Sequence, residues 1–206
     1  MLWVLKKGVI MSGKFNFYGV FTGFFMVIAV ISGCRQLGEM KNLSKCQFRL
    51  KNIQIQSVDN VDVSNVKTMN DLNVTTIAKL GSSLLTGKLP LTFQTNIESK
   101  NPNNQNAAIN KFDLHILFNN VDLVQTVVNQ RVEILPGQTI VIPVVLTSDI
   151  AQIVKGENIR TVLGWIFPGN DTPAVFTIKI KPSILVGPVT LSYPGFITLS
   201  KDFKTQ

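Results

Sequence analysis

The sequence predicts an all-β fold, a β-sandwich of about seven or eight strands with two short accessory helices. Apolar and polar residues alternate with a period of two along much of the chain, as they do in strands that bury one face. Turn residues such as Asn119-Asn120 and Pro136-Gly137 separate these segments. Many short strands joined by such turns are typical of a sandwich or a barrel, and about 170 residues suffice for one core without disulfides.

Each strand is predicted from its own alternation of apolar and polar residues. Leu91, Phe93 and Thr95 alternate with polar residues, and Phe112 and Leu114 begin the same pattern further along the chain. The predicted strands are 46–55, 61–66, 91–97, 108–118, a strand from residue 121, 140–146, 174–181 and 189–199.

Two segments have helical rather than period-two spacing. Between residues 70 and 85 the apolar residues recur at three- to five-residue intervals, Asn70 or Asp71 can cap the start, and Gly87 lies where a helix often stops. The second segment, 148–166, begins at Ser148-Asp149, and Gly156 can divide it. We expect two short helices packed on the sandwich.

The N-terminal segment has the order of an export signal. Three lysines precede an apolar run at 17–31, and no acidic residue occurs before Glu39. The run has about fifteen residues, whereas a membrane-spanning helix needs ~20. The sequence therefore predicts a cleaved signal peptide over residues 1–33, with translation starting at Met1 or at Met11.

Ile31, Ser32, Gly33 and Cys34 resemble the lipobox of bacterial lipoproteins. The resemblance implies that Cys34 becomes a thioether to diacylglycerol, so that the mature chain is attached to a membrane through its lipid. The alternatives are a structural cysteine behind an uncleaved anchor and an ordinary signal peptide. Arg35 is not the aspartate associated in some bacteria with inner-membrane retention, which favours the outer membrane, facing the periplasm.

On this interpretation, residues 34–45 form a lipidated tether and residues 46–206 form the sandwich domain. The formal charge is +8, and removal of residues 1–33, with three lysines and no acid, lowers it to +5. Basic residues near the tether, such as Lys41, Lys45 and Arg49, can contact anionic headgroups or simply be solvated. This modest excess argues against nucleic acid as a partner.

The composition offers little material for catalysis. His115 is the only histidine and shares a strand face with Asp113, so a serine-histidine-aspartate site requires a hydroxyl from elsewhere. Zinc normally needs several histidine or cysteine ligands, so we predict no metal and no cofactor. With Cys34 acylated, Cys46 has no disulfide partner within the chain, and its alternation with Phe48 predicts a buried small residue.

Asn101-Pro102-Asn103 follows the strand 91–97 and precedes the strand 108–118 and the Pro136-Gly137 turn. This succession, over residues 46–200, resembles the group 2 late embryogenesis abundant (LEA-2) domain, also called the water stress and hypersensitive response (WHy) domain. The resemblance implies an immunoglobulin- or fibronectin-like sandwich and a link to desiccation or envelope stress, and it supplies no catalytic residues. We expect the Asn-Pro-Asn segment to be structural, with its asparagines tolerating left-handed angles and bonding to nearby backbone.

Three functions are compatible with these features. The first is a non-enzymatic, membrane-tethered domain that binds or shields envelope components. The second is a lipid-binding or lipid-presenting domain, with a groove near Leu163, Trp165, Ile166 and Phe167. The third is a hydrolase that uses His115, which requires a cleft joining His115 to a nucleophile.

Overall fold

The computed structural model describes residues 36–167 and 175–202, with side chains as far as residue 199. Within these ranges the predicted fold class is confirmed, because the chain forms an all-β sandwich with short helices. The predicted signal peptide and lipobox, including Cys34, lie outside the described residues. None of the helices in the described ranges is long and apolar enough to span a membrane.

Two antiparallel sheets make up the sandwich. One has the strand order β2-β1-β3-β8, and the other has the order β10-β9-β5-β6, with β11 also paired to β9. A separate pair, β4 with β7, closes one end of the domain. The strands are β1 (Gln47–Val58), β2 (Val61–Asp62), β3 (Pro90–Lys100), β4 (Ala107–Ile109), β5 (Lys111–Phe118), β6 (Val121–Val128), β7 (Val132–Ile134), β8 (Thr139–Asp149), β9 (Val175–Val186), β10 (Val189–Ser192) and β11 (Ile197–Asp202).

The core lies between the inward faces of the two sheets. Strand β3 is central and buries alternate residues, including Phe93, Thr95 and Ile97, as its period-two pattern predicts. Across the sandwich, the Phe176 ring lies 6.1 Å from that of Phe93, and within its own sheet it lies 5.1 Å from that of Phe118. Burial of each such side chain stabilises the fold by roughly 1.5–3 kcal/mol, so this aromatic contact joins the two sheets.

The N-terminal part of the described chain is helical, although the sequence predicts a tether there. Residues 36–43 form helix α1 up to its last residue, Leu43, which is almost fully buried. The compact folded unit begins at Gln36. Residues 36–43 of the predicted tether therefore pack on the sandwich as α1.

The other two helices are shorter than predicted. Helix α2 (Val74–Leu85) is capped by Asn73, whose side chain accepts from the backbone of Thr76, and ends before Gly87, which has a φ of +79°. The predicted cap at Asn70 or Asp71 is wrong, because these residues belong to a separate 3₁₀ turn.

Helix α3 (Ile159–Ile166) occupies only the last part of the predicted segment 148–166. Strand β8 continues to Asp149, whose carboxylate accepts from the backbone N–H groups of Leu89 and Ala151 and ends the strand in a turn. Gly156, with a φ of +91°, separates that turn from α3, as its position in the sequence indicates.

The predicted turns fall where expected. Asn119 and Asn120, between β5 and β6, have positive φ angles of 49° and 65°, and Gly137 has a φ of +69° before β8. The predicted strand 189–199 is interrupted, because Pro194-Gly195 separates β10 from β11. Of the predicted strand 61–66, only β2 is formed.

Strand β8 lies at one edge of the first sheet, paired only with β3. The backbone N–H of Asn101 donates to the carbonyl of Gln138, directly opposite, at 2.9 Å. In an antiparallel ladder, hydrogen-bonded and non-hydrogen-bonded residue pairs alternate. Asn96 and Pro143 are paired five positions along the ladder from the bonded pair Asn101 and Gln138, so they form a non-hydrogen-bonded pair. The ring nitrogen of Pro143 therefore faces the open edge of the sheet.

Candidate functional site

Asn101 lies fully buried at the end of β3 and joins three segments of backbone through its side chain. Its Nδ2 donates to the carbonyl oxygens of Gln105 at 2.9 Å and Ile134 at 2.8 Å. Its Oδ1 accepts from the backbone N–H of Asn103 at 3.0 Å. One side chain thus satisfies buried polar groups of the following loop and of β7.

The same loop holds helix α1. The Nδ2 of Asn103 donates to the carbonyl oxygen of Asn42 at 2.8 Å, and the Nδ2 of Asn42 donates to the carbonyl oxygen of Asn106 at 3.0 Å. These two bonds run in opposite directions between the loop and α1. The loop 101–106 therefore binds the C-terminal end of α1 through hydrogen bonds in both directions.

The Asn-Pro-Asn segment bonds to nearby backbone, as expected of it. Six residues separate β3 from β4, so the segment opens a loop rather than forming a tight turn. Among the described residues other than glycine, those with positive φ are Asp59, Asn60, Asn119 and Asn120. Asn101 and Asn103 therefore do not use the left-handed angles that asparagine tolerates.

Two further contacts fix α1 at this end. Glu39 is buried, and its Oε2 lies 3.4 Å from a guanidinium nitrogen of Arg131, in the loop between β6 and β7. Gln36, the first described residue of α1, accepts from the backbone N–H of Gly187 at 3.3 Å, in the turn between β9 and β10. A buried carboxylate without a partner is costly, so the Glu39–Arg131 pair positions α1 specifically.

The outward face of the first sheet carries a connected set of side-chain amides, which we call the amide face. It comprises Asn52, Gln54 and Gln56 of β1 and Gln94 and Asn96 of β3. The amides of Gln94 and Asn96 bond at 2.9 Å, and those of Asn96 and Asn52 at 2.7 Å. A weaker bond of 3.4 Å links Gln56 to Gln94. This face is polar and uncharged. Asn96 is buried within it, and the other amides present both donors and acceptors.

The amide face has neighbours of two kinds. Along the edge strand β8, Val141 and Val145 are exposed beside it. At its end nearer α1, the Nε of Arg49 lies 2.7 Å from an oxygen of Glu98, and an open depression of about 590 Å³ surrounds this pair. The hydrogen bond to Glu98 and its charge raise the pKa of Arg49 further above its ordinary value. The guanidinium therefore stays charged at every physiological pH.

His115 projects from the outward side of β5 and contacts two residues of β6. Its Nε2 lies 2.7 Å from Oδ1 of Asp122 and 3.2 Å from Nε2 of Gln125, both on β6. Within the described ranges, no hydroxyl or thiol is hydrogen-bonded to His115. The predicted neighbour Asp113 lines the same shallow depression, but the imidazole bonds to Asp122 instead. Thr126 also lines this depression, but in the described structure its hydroxyl is not bonded to His115.

The residues considered for a lipid groove pack α3 on the sandwich. Leu163, Ile166 and Phe167 are buried in the core, and the Trp165 ring lies 6.1 Å from that of Phe118. Among the described residues, the cavity beside Ile166 and Phe167 has a volume of about 170 Å³, smaller than the roughly 300–1,000 Å³ typical of ligand pockets.

Cys46 is a half-buried thiol between α1 and β1, close to its predicted environment. Its sulfur lies 3.6 Å from the carbonyl oxygen of Asn42, and burial raises its pKa from 9.0 to about 11. Among the described residues, histidine, cysteine and acidic side chains form no group that could hold a metal ion.

Sequence reasoning missed α1 and the amide face. The spacing of Glu39 and Leu43, four residues apart, is the signal for a helix with one buried side. For the amide face, the signal is that β1 and β3 carry asparagine or glutamine at five neighbouring outward positions.

Comparison with known proteins shows similarity at the level of structure only. No family model matches the sequence, and no curated protein matches it. A crystal structure of a protein from Archaeoglobus fulgidus is 14% identical, with a TM-score of 0.36, and covers 57% of this chain and 86% of its own. A solution structure from Arabidopsis thaliana is 9% identical, with a TM-score of 0.43, and covers 77% of this chain and 80% of its own.

Proposed function

We propose that this chain is a non-enzymatic lipoprotein of the bacterial envelope, attached to a membrane through a lipid on Cys34. Its LEA-2-like (WHy) sandwich binds or shields a polar envelope component, in a role connected with envelope stress. The outer membrane, facing the periplasm, is the preferred location.

The observation that carries this proposal is the packing of helix α1 on the sandwich. In the proposed mature chain, only Cys34 and Arg35 precede Gln36, the first described residue. Two residues span at most about 7 Å, so a lipid on Cys34 holds the whole domain close to the bilayer. Two or three acyl chains on one residue bind a membrane far more durably than one chain. Because α1 is hydrogen-bonded to the sandwich, the lipid also keeps the sandwich near the membrane.

The amide face supports the binding part of the proposal. Side-chain amides pair with hydroxyl groups as donors and as acceptors, which matches the hydroxyl-rich, uncharged surface of an envelope glycan. The face is already linked by hydrogen bonds from Asn52 to Asn96 and Gln94, so little side-chain freedom is lost on binding. We therefore propose a glycan of the envelope as its ligand.

The anchor is tested by labelling cells with an alkyne analogue of palmitate and comparing Cys34→Ala with Cys46→Ala. We expect Cys34→Ala to lose the label and to accumulate as precursor, whereas Cys46→Ala keeps the label because Cys46 is a half-buried residue of the domain. Equal labelling of the parent and Cys34→Ala would overturn the lipoprotein proposal.

The binding role is tested by co-sedimentation of the protein with purified cell-wall glycan. We expect Gln94→Ala to reduce sedimentation, because it removes the amide that links Asn96 to Gln56. The matched control is Gln125→Ala, on the outward side of the other sheet, which should sediment like the parent. If neither the parent nor the variants sediment, the glycan assignment is wrong while the anchor stands.

A further inference from the structure

Four elements converge at the end of the domain that holds α1. They are α1, the loop 101–106, the turn 135–138 and the turn between β9 and β10, and together we call them the α1 end. Asn110 links two parts of it, since its Oδ1 accepts from the backbone N–H of Leu185 at 3.1 Å and from Arg131 at 3.3 Å. With the contacts of Gln36 and Glu39, these bonds make the α1 end a single surface.

Apolar side chains project from this surface. Leu37 is 52% exposed, Leu135 is 50% exposed, Leu185 is 42% exposed and Val189 is 54% exposed. A single exposed apolar residue is ordinary, but these four come from three separate elements that meet at one end. The β9–β10 turn presents Leu185 and Val189 on either side of its tip.

The α1 end also carries exposed basic residues. Lys41, Lys45 and Lys100 are exposed there, and the nearby carboxylates of Glu39 and Glu98 are each paired with an arginine, whereas Glu133 is exposed and accepts from Asn106. The opposite end, where β1 finishes and β3 begins, carries lysines as well as aspartates, among them Lys67, Lys79 and Lys88, so net charge does not distinguish the two ends. Lysines beside exposed apolar residues suit an anionic bilayer surface.

We infer that the α1 end docks on the anionic membrane surface in which the protein is anchored, with Leu37, Leu135, Leu185 and Val189 entering the headgroup region. This inference rests on the proposed lipid attachment at Cys34, which leaves α1 within about 7 Å of the lipid. In this orientation the α1 end contacts the membrane, and the amide face lies on the side of the sandwich. Helix α2, at the opposite end, faces away from the bilayer.

The test uses the full chain, produced in a bacterium that processes lipoproteins and reconstituted into vesicles of phosphatidylglycerol and phosphatidylethanolamine with brominated acyl chains. Bromine quenches nearby tryptophan, so Val189→Trp reports on the α1 end. Val74→Trp is the matched control, because Val74 is 80% exposed at the start of α2. The parent, which contains Trp165, supplies the background. Circular dichroism confirms that each variant is folded, and Leu37→Trp replaces Val189→Trp if that variant is not.

We expect the added tryptophan at position 189 to lose fluorescence in brominated vesicles and the one at position 74 to keep it. Lys41→Glu with Lys45→Glu should reduce the quenching at position 189, whereas Lys79→Glu on α2 should not. Equal fluorescence at positions 189 and 74, in protein shown by mass spectrometry to be acylated, would overturn the docking but leave the anchor intact. Absence of acylation would overturn the proposed function, and the docking with it.

Discussion

Asn103 donates a hydrogen bond from its Nδ2 to the carbonyl oxygen of Asn42 at 2.8 Å, and a second from the same nitrogen to Oδ1 of Asn101 at 2.7 Å. Through this pair of bonds, helix α1 is connected to an asparagine at the end of the central strand. The stability of the domain and the position of α1 therefore depend on the same few amides.

We expect Asn101→Ala to be much more destabilising than Asn103→Ala. Asn101 is fully buried, and its loss leaves the carbonyl oxygens of Gln105 and Ile134 without their donor, at a cost of about 2–4 kcal/mol. Asn103 is partly exposed, so water can replace its bonds at a cost of about 1 kcal/mol. Urea unfolding followed by circular dichroism measures the stability of both variants. Equal unfolding midpoints would contradict the role of Asn101 in joining the loop 101–106 to β7.

A fragment of residues 36–206 should be more stable than a fragment of residues 44–206. The shorter fragment lacks Leu43, whose burial stabilises the fold by roughly 1.5–3 kcal/mol, and the bonds between Asn42 and the loop 101–106. Both should be predominantly β in circular dichroism and unaffected by chelator or reductant. If the two fragments melt at the same temperature, α1 does not contribute to folding.

Two threonines on β3 should respond oppositely to valine. Thr95 is fully buried, and within the described structure its hydroxyl has no hydrogen-bond partner, so Thr95→Val should stabilise the domain by about 1 kcal/mol. Thr92 faces outward and shares a 2.9 Å bond with Thr147, so Thr92→Val should be neutral or slightly destabilising. Thermal unfolding of the two variants is the measurement. A destabilised Thr95→Val would mean that its hydroxyl is bonded in solution.

The thiol of Cys46 should react slowly with iodoacetamide. Burial raises its pKa to about 11 from 9.0, so at pH 8 the reactive thiolate is about 100-fold rarer than in an ordinary cysteine. The labelling rate of the 36–206 fragment should rise about tenfold per pH unit from 8 to 10. Lys45→Cys in a Cys46→Ser background is the exposed comparison, and equal rates for the two thiols would contradict the raised pKa.

The same shift has a consequence for stability. The pKa of Cys46 is higher in the folded than in the unfolded state, so the unfolded chain loses its proton first as the pH rises. This contribution to stability is fully present below pH 9.0 and is lost as the pH rises towards about 11. Cys46→Ser should show a smaller decrease over that range.

The strands were predictable where one face is fully buried. On β3 and β5 every second residue faces the core, so the alternation around Phe93 and Phe112 predicts both strands closely. The segment after Ser148 was misassigned because Ile150 and Val154 are buried by a turn, and a buried turn imitates helical spacing. Local periodicity cannot distinguish these cases, because burial is decided by contacts distant in sequence.

The polar connections of the candidate site were less predictable. Asparagine in a loop is usually exposed, so nothing local indicates that Asn101 is fully buried among carbonyl groups from β7. The resemblance indicated that the Asn-Pro-Asn segment matters to the fold, and the structure supplies the reason. Helix α1 was overlooked because polar residues between an export signal and the first strand are also what a tether contains.

The outward nitrogen of Pro143 has a consequence for neighbouring molecules on a crowded surface. A strand that paired with the free side of β8 would need a backbone N–H donor from every second residue of β8. Pro143, near the middle of β8, has no backbone N–H. Its ring also occupies the space that the partner's backbone would fill. Copies of the domain brought side by side therefore cannot extend the first sheet by pairing a strand along the whole of β8, so this edge does not promote association at high density.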